Sequence, residues 1–473
     1  MSQTITIDPV TRLEGHGKIT IQLNGQGEVE DAHFHVTQVR GFERFSEGRP
    51  FYEMPSLTAR VCGICPVSHL IASARACEAI MSVRIPYTAA QLRRMLNLAQ
   101  MVQSHALSFF HLSSPDLLLG MESDPKNRHI FGVAAARPEL GRAGIALRRF
   151  GQHIIELLGS KRIHTGWVIP GGVTEPLNAA RRDEMLAMLP EAYSNIRLAL
   201  DWYKKIVENF KSEIEVFANF PSLFMGLINE DESIAFTVGK LRLIDSKGNI
   251  VDDGIDANRF SEVIGEAVEP YSYTKFAYYK PLGYPEGSYR VGPLARLNIA
   301  KSMGTPLADK ELAEFKQLAD GPVLSSFYYH HARLVEMLHG IEKIEMILND
   351  PQILDKHVRA TAGVNRMEGK GQAEAPRGTL HHHYKVDENG LIKWANLVIA
   401  TGQNNNAMNQ GVLQAAKHYV KNGKFTEGIL NRVEAVVRTF DPCLSCSTHA
   451  SGQMPLKLTL VSAEGEIVDQ VAR

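Results

Sequence analysis

Cysteine is scarce in this chain, five residues in 473. They are too few and too unevenly placed for a disulfide framework, which points to a reducing, cytoplasmic setting. Long apolar runs are absent as well. None approaches the ~18 residues that a membrane-crossing helix needs, so no membrane span is expected. The opening MSQTITIDPV has neither the basic stretch nor the apolar core of a signal peptide. Charge of one sign is missing too: 51 Lys and Arg balance 52 Asp and Glu, for a net charge of −1. That balance removes any electrostatic case for a nucleic-acid partner or an anionic membrane. No internal repeat, low-complexity stretch or clean linker divides the chain. With 44% hydrophobic and 22% charged residues, it reads as one interwoven globular body with a large core.

Four of the five cysteines form two Cys-x-x-Cys pairs. Arg60-Val-Cys-Gly-Ile-Cys-Pro-Val-Ser-His69 supplies Cys62, Cys65 and His69, and Asp441-Pro-Cys-Leu-Ser-Cys-Ser-Thr-His449 supplies Cys443, Cys446 and His449. Each pair can turn two thiolates toward one point, and together they can make a four-sulfur pocket for a soft or borderline metal. Structural zinc uses the same ligands, but its pairs usually lie roughly 15–20 residues apart, and here nearly the whole chain intervenes. A thioredoxin-like redox pair needs a βαβ context that the sequence lacks. Haem attachment needs Cys-x-x-Cys-His, which neither pair offers. The fifth cysteine, Cys77, reads as a buried structural thiol.

Between the pairs, periodicity predicts an α+β body, mainly helical, with a large central helix bundle and small peripheral antiparallel sheets. Strands fill 3–39, with a hairpin turn near Asn24-Gly25. Helices follow the first cysteine pair to about 81 and then cover 88–113, 138–159, 181–218, 309–318, 323–349 and 410–421. Hairpins are expected at 241–250, at 381–400 with a turn at Asn389-Gly390, and in the tail at 456–471. His381, His382 and His383 cannot converge on one ion, because neighbouring strand side chains point to opposite faces. Taken alone, Glu14 and Glu43 read as solvated carboxylates, and His105 and His111 as core or outer-sphere histidines. Arg377, in the bend Glu374-Ala-Pro-Arg-Gly378, is open between a surface cation and a fixed charge over a site.

Taken together, the two cysteine motifs resemble those of the large, catalytic subunit of nickel–iron hydrogenases. The resemblance spans nearly the whole chain. It includes Arg12-Leu-Glu-Gly-His16, Arg40-Gly-Phe-Glu43, Pro170-Gly-Gly172, Val291-Gly-Pro-Leu-Ala-Arg296 and Ala375-Pro-Arg-Gly378. Compact length and the reading Cys-Leu-Ser-Cys-Ser-Thr-His-Ala look most like the soluble, bidirectional, NAD-linked branch. The implied fold is that of the hydrogenase large subunit, one domain over 1–449 with a β-rich N-terminus (1–50), a helical body and a metal-binding C-terminus. Residues 450–473 would be an extension removed on maturation.

The resemblance implies reversible cleavage of H2. Cys62, Cys65, Cys443 and Cys446 would ligate nickel, with Cys65 and Cys446 bridging to an iron that carries carbon monoxide and cyanide. Glu43, His449 and the carbonyl of Leu397 would hold magnesium. Arg377, Asp116 and Asp441 would form a charged canopy. Pro376, Thr401 and His69 would contact the metal cofactor or its ligands, His69 as a donor to a bridging sulfur. Cys443 would take the proton and Glu14 would relay it outward. At 401–404 the chain reads Thr-Gly-Gln-Asn where the family often has Thr-Thr-Trp-Asn. Implied partners are a small iron–sulfur subunit, diaphorase subunits, a maturation endopeptidase and metal-insertion chaperones. Three alternatives stay open from the sequence: a structural zinc protein with four cysteine ligands, a hydrogen-sensing subunit, and a relative of the quinone-site subunit of respiratory complex I. Sensors typically lack an extension after the last histidine, and the complex I relative lacks the four thiolates.

Overall fold

Four long helices carry the centre of the molecule. The computed structural model describes residues 3–448, 457–462 and 466–472. Its principal helices are α1 (Pro66–Met81), α2 (Tyr87–Ala106), α3 (Pro138–Gly159), α4 (Ala179–Ile206), α5 (Pro293–Ile299), α6 (Tyr329–Leu348), α7 (Ala400–Tyr419) and α8 (Glu427–Phe440). α2, α3, α4 and α6 pack side by side as a bundle. In α2 the apolar positions Leu92, Met95, Leu96, Leu98, Ala99 and Val102 are each no more than 1% exposed. The broad apolar face read from the sequence is therefore the face that meets the bundle.

The principal strands are β1 (Gln3–Ile7), β2 (Gly17–Leu23), β3 (Val29–Val36), β4 (Leu223–Ile228), β5 (Lys240–Ile244), β6 (Ile250–Ile255), β7 (Tyr289–Arg290), β8 (Glu368–Ala375), β9 (Gly378–Val386), β10 (Ile392–Val398), β11 (Lys457–Val461) and β12 (Ile467–Ala472). They form small sheets, antiparallel except where β7 pairs parallel to β4. The α+β architecture, mainly helical with small sheets, is thus the one expected. Among the described residues no helix is long and apolar enough to cross a membrane.

The β8–β9–β10 sheet positions the site. Its middle strand is buried along almost its whole length, and β8 lies directly on α1. A Cβ on Gly369 or Gly371 would come 2.1 or 2.2 Å from the carbonyl oxygens of Ala76 and Ala72. Only glycine permits that approach. It brings the two-residue β8–β9 turn, Pro376-Arg377, to the same end as the first cysteine pair.

Three helices differ from the sequence expectation. The 88–113 helix gives way after Ala106 to a π segment, Leu107–Ser113, and then to a short helix, Ser114–Leu119. Pro115 has no N–H to continue the regular ladder, and the wide turn accommodates the break. The 181–218 helix ends at Ile206, followed by a 3₁₀ turn and a separate helix, Lys211–Val216. α7 starts at Ala400, ten residues before the expected 410. Its polar first turns are helical because the side chains have partners elsewhere. Gln403 donates to the Thr379 carbonyl, Asn404 accepts from the Val291 amide, and Asn409 accepts from the Phe34 amide. Tertiary bonding overrides low helix propensity here.

Candidate metal centre

α1 begins at the first cysteine pair. Cys65 is its N-cap and Pro66 its first residue, a position that tolerates proline because the first-turn N–H has no helical partner. The Cys62 sulfur accepts from the amides of Ile64 and Cys65 at 3.2 and 3.1 Å. The second pair arrives after α8, which ends at Asp441 in the left-handed region (φ 54°). Cys443 then makes a parallel bridge with Glu14, and Cys446 sits in a single turn, Leu444–Ser447.

All four thiol sulfurs lie within 4.8 Å of one another and are buried. Cys62 Sγ is 3.4 Å from Cys443 Sγ, Cys65 Sγ is 3.5 Å from Cys446 Sγ, and the Cys443 and Cys446 sulfurs are 2.7 Å apart. Burial pushes the Cys443 and Cys446 thiols up. Donation by Cys443, Cys446 and Cys62 holds Cys65 well below its ordinary value against burial, and His69 adds to the effect. His69 is itself fully buried. Its Nδ1 faces His382 Nε2 at 3.4 Å, and its Nε2 has no hydrogen-bond partner among the described residues. Four converging sulfurs with an orphaned imidazole nitrogen beside them fit a thiolate-bound metal cofactor.

Arg377 projects from the β8–β9 turn. Its Nε donates to the Asp441 carbonyl at 2.6 Å, Nη2 to Asp441 Oδ1 at 3.1 Å, and Nη1 to Ser104 Oγ at 3.3 Å. Burial opposes its charge, but Asp441 and then the thiols of Cys443, Cys65 and Cys62 outweigh burial and hold the guanidinium above its ordinary range. Burial also raises the Asp441 carboxyl, with Arg377 and Arg333 opposing. The Cys443 amide donates to Thr401 Oγ1 at 2.9 Å, leaving that hydroxyl its own proton to give. Glu14 reaches the second pair twice: its carbonyl accepts from Leu444 N at 3.1 Å and its Oε2 from Ser445 N at 3.0 Å.

A family model described as nickel-dependent hydrogenase matches residues 40–126 and 228–449, and one described as HoxL-like matches 4–39. The NAD-reducing hydrogenase HoxS subunit beta of Cupriavidus necator is 40% identical over the full length of both chains. This chain belongs to the nickel-dependent hydrogenase family. It is a large subunit, and members of this family are oxidoreductases acting on H2. A vhc hydrogenase subunit of Methanococcus voltae is 41% identical over 98% of each chain. Among solved structures, an NAD+-reducing [NiFe]-hydrogenase in the H2-reduced state is 42% identical, covers 94% of this chain and 99% of its own, and has a TM-score of 0.92. The Ni-Fe-Se hydrogenase of D. vulgaris Hildenborough, 24% identical with a TM-score of 0.74, shares the fold.

In this hydrogenase the remaining predicted residues divide. Glu43 and Leu397 meet: Glu43 Oε1 accepts from the Leu397 amide at 2.7 Å. β10 is a sheet edge, so the Leu397 carbonyl points to the same side as its amide. Lys275 lies 3.7 Å from Glu43 and 3.1 Å from Glu266. Burial opposes its charge, and the two carboxylates hold it up. His449 and the expected cleavage point lie outside the described residues, although the preceding Thr448 carbonyl accepts from Arg40 and Gly41, just before Glu43.

Asp116 is not paired with Arg377. It bonds Arg12 and Arg438, both at 2.5 Å, and Asn431 at 3.0 Å. Burial would raise its carboxyl, yet Arg438 and Arg12 hold it below the usual range. This cluster joins the other through the chain, since Arg438 is three residues before Asp441. Pro376 offers its carbonyl to Arg296 at 3.3 Å. Of the triple histidine, His381 stacks on Phe260 and His383 bonds Glu368, while His382 points the other way to His69 and Tyr384. The sequence reading missed Ser104, Lys275 and His382. For His382, strand alternation was the available signal; Ser104 and Lys275 carried none.

Proposed function

We propose that this hydrogenase large subunit cleaves H2 reversibly and heterolytically, and that Cys62, Cys65, Cys443 and Cys446 are the residues that would hold its nickel–iron centre. The carrying observation is the convergence of four buried thiols from opposite ends of the chain beneath a paired, charged Arg377. When bound, nickel and an iron with carbon monoxide and cyanide ligands supply redox and Lewis-acid chemistry that no side chain offers. The protein's own groups handle the proton and the charge. Cys443 accepts the proton, and Glu14, anchored on the two residues after it, relays it outward. Arg377, with Asp441 fixing its fork, presents a preorganised positive charge, and Asp116 sets the neighbouring arginines. Thr401 would give its free hydroxyl proton to a ligand of the cofactor, Pro376 would flank the cofactor from the turn that carries Arg377, and His69 would donate to a cysteine sulfur of the site.

Glu43, the Leu397 carbonyl and His449 are the proposed magnesium ligands, a set rich in the oxygen donors that magnesium prefers. Residues 450–473 would be cut off by an endopeptidase after chaperones load the metals. The active, nickel-loaded subunit should then have an intact mass ending at His449; a full-turnover enzyme retaining Ala450 to Arg473 refutes processing.

Electrons leave through another chain. Apart from the four site thiols the sequence holds one cysteine, Cys77, which is buried and donates to the Phe51 carbonyl. Gly63, between the first two ligands, is exposed, which offers a short approach for a small iron–sulfur subunit. NAD, reached through diaphorase subunits in the cytoplasm, is the acceptor favoured by the end-to-end match to an NAD-reducing relative. Elemental analysis with an H2-dependent NAD reduction assay on the purified complex tests the whole reading. Nickel and iron with NAD reduction are expected; zinc with no H2 chemistry overturns it.

A further inference from the structure

The proposed chemistry leaves two of the sequence motifs without a role, Pro170-Gly-Gly172 and Val291-Gly-Pro-Leu-Ala-Arg296, and the second lies against the site. Arg296, on α5, is fully buried, and all five of its N–H donors are used. Nε and Nη2 clasp the Glu336 carboxylate, both at 2.7 Å, and Nη1 meets Glu374 Oε2 at 2.7 Å. The last two donors go to backbone: Nη1 to the Ala375 carbonyl at 3.0 Å and Nη2 to the Pro376 carbonyl at 3.3 Å. Those are the two residues directly before Arg377. The same cluster holds the other side of Arg377. Glu336 Oε2 accepts from His105 at 2.8 Å, and Ser104, its neighbour on α2, accepts from Arg377. Glu374 in turn accepts from Thr379 Oγ1 at 2.7 Å and the Leu227 amide at 2.9 Å, fixing the far side of the turn. The second motif's glycine lets the turn come this close: a Cβ on Gly292 (φ +95°) would stand 2.7 Å from the Arg377 carbonyl.

From this we infer that Arg296 is a positioning residue for Arg377: a buried guanidinium, neutralised by Glu336 and Glu374, that fixes the carbonyls of the turn and so aims the active-site arginine at the thiols. A fork with every donor matched to a fixed acceptor leaves the turn little freedom to rotate. The inference rests on the proposed electrostatic role of Arg377.

The test uses Arg296→Lys and Glu374→Gln in the full-length chain and the assembled enzyme. A misplacement near 1 Å costs about 10²-fold in rate, so turnover per nickel should fall by about that factor in Arg296→Lys. Combined with Arg377→Lys, it should cost no more than about twofold further, because both changes remove one function. Losses that multiply instead, or unchanged turnover in Arg296→Lys, overturn the inference. Amide hydrogen exchange on the full-length chain before metal loading gives a readout independent of catalysis. The peptide spanning 374–380 should exchange faster in both variants, and that spanning 66–81 should not. Equal loosening everywhere assigns Arg296 a general structural role and refutes the positioning one. If Arg377→Lys alone leaves turnover intact, the role of Arg377 has failed, while the exchange result still decides whether Arg296 holds the turn.

Discussion

Replacing Glu14 by glutamine separates proton relay from architecture. The backbone link to the second cysteine pair, Leu444 N to the Glu14 carbonyl at 3.1 Å, does not involve the side chain. The side-chain link, Ser445 N to Oε2 at 3.0 Å, survives in glutamine as an amide oxygen of the same reach. What changes is that a charge-assisted hydrogen bond becomes a neutral one, a loss of about 1 kcal/mol. A core of this size tolerates that, so nickel content should stay near normal. The rate should not. An amide cannot shuttle a proton, and a positioned acid–base group is worth about 10²–10⁴-fold. Exchange of H2 with solvent deuterium, measured by mass spectrometry on nickel-quantified enzyme, should fall by at least about 10²-fold. Exchange at the wild-type rate with full nickel content would show that the proton leaves by another route.

Arg377→Lys keeps the charge but cannot reproduce three bonds from three nitrogens to Asp441 and Ser104. Turnover per nickel should fall about 10²–10³-fold, and an unimpaired rate would remove Arg377 from the electrostatics. His381→Phe should make the protein less sensitive to acid. His381 is buried against Phe260 with neither ring nitrogen bonded to any of the described residues, and burial lowers its pKa from 6.5 to about 3. Below 6.5 the unfolded chain takes up a proton that the folded chain refuses, so stability drains away as pH falls toward about 3. By pH 5 this one site should cost about 2 kcal/mol. Melting curves for the variant should therefore fall less steeply between pH 7 and pH 5, and parallel curves would refute the assignment.

The fold was legible where periodicity and tertiary packing agree. The apolar face of α2 and the Asn389-Gly390 hairpin rest on local signals, and both hold. Boundaries failed where a distant partner decides them. Nothing near Gln403, Asn404 and Asn409 says that Thr379, Val291 and Phe34 will supply bonds for a polar helix start. That start matters, since it moves Thr401 from a loop to the first turn of α7, where its hydroxyl meets the Cys443 amide.

The site was legible for a different reason. Soft-metal ligation needs sulfur, and four thiols among five cysteines leave little choice about which residues meet. Charged groups carry no such economy, because the chain holds 51 basic and 52 acidic residues and geometry alone selects among them. Asp116 illustrates this. The resemblance groups it with Arg377 and Asp441 in a charged canopy, and in the fold Arg12 and Arg438 hold both of its oxygens at 2.5 Å. A buried carboxylate goes to whichever guanidiniums the packing brings near, since leaving it unpaired costs far more than changing partner. Arg296 is the converse case. It sits in a motif visible from the start, but its five bonds are to residues 40 to 80 positions away, and only the folded chain shows that two of them end on the turn carrying Arg377.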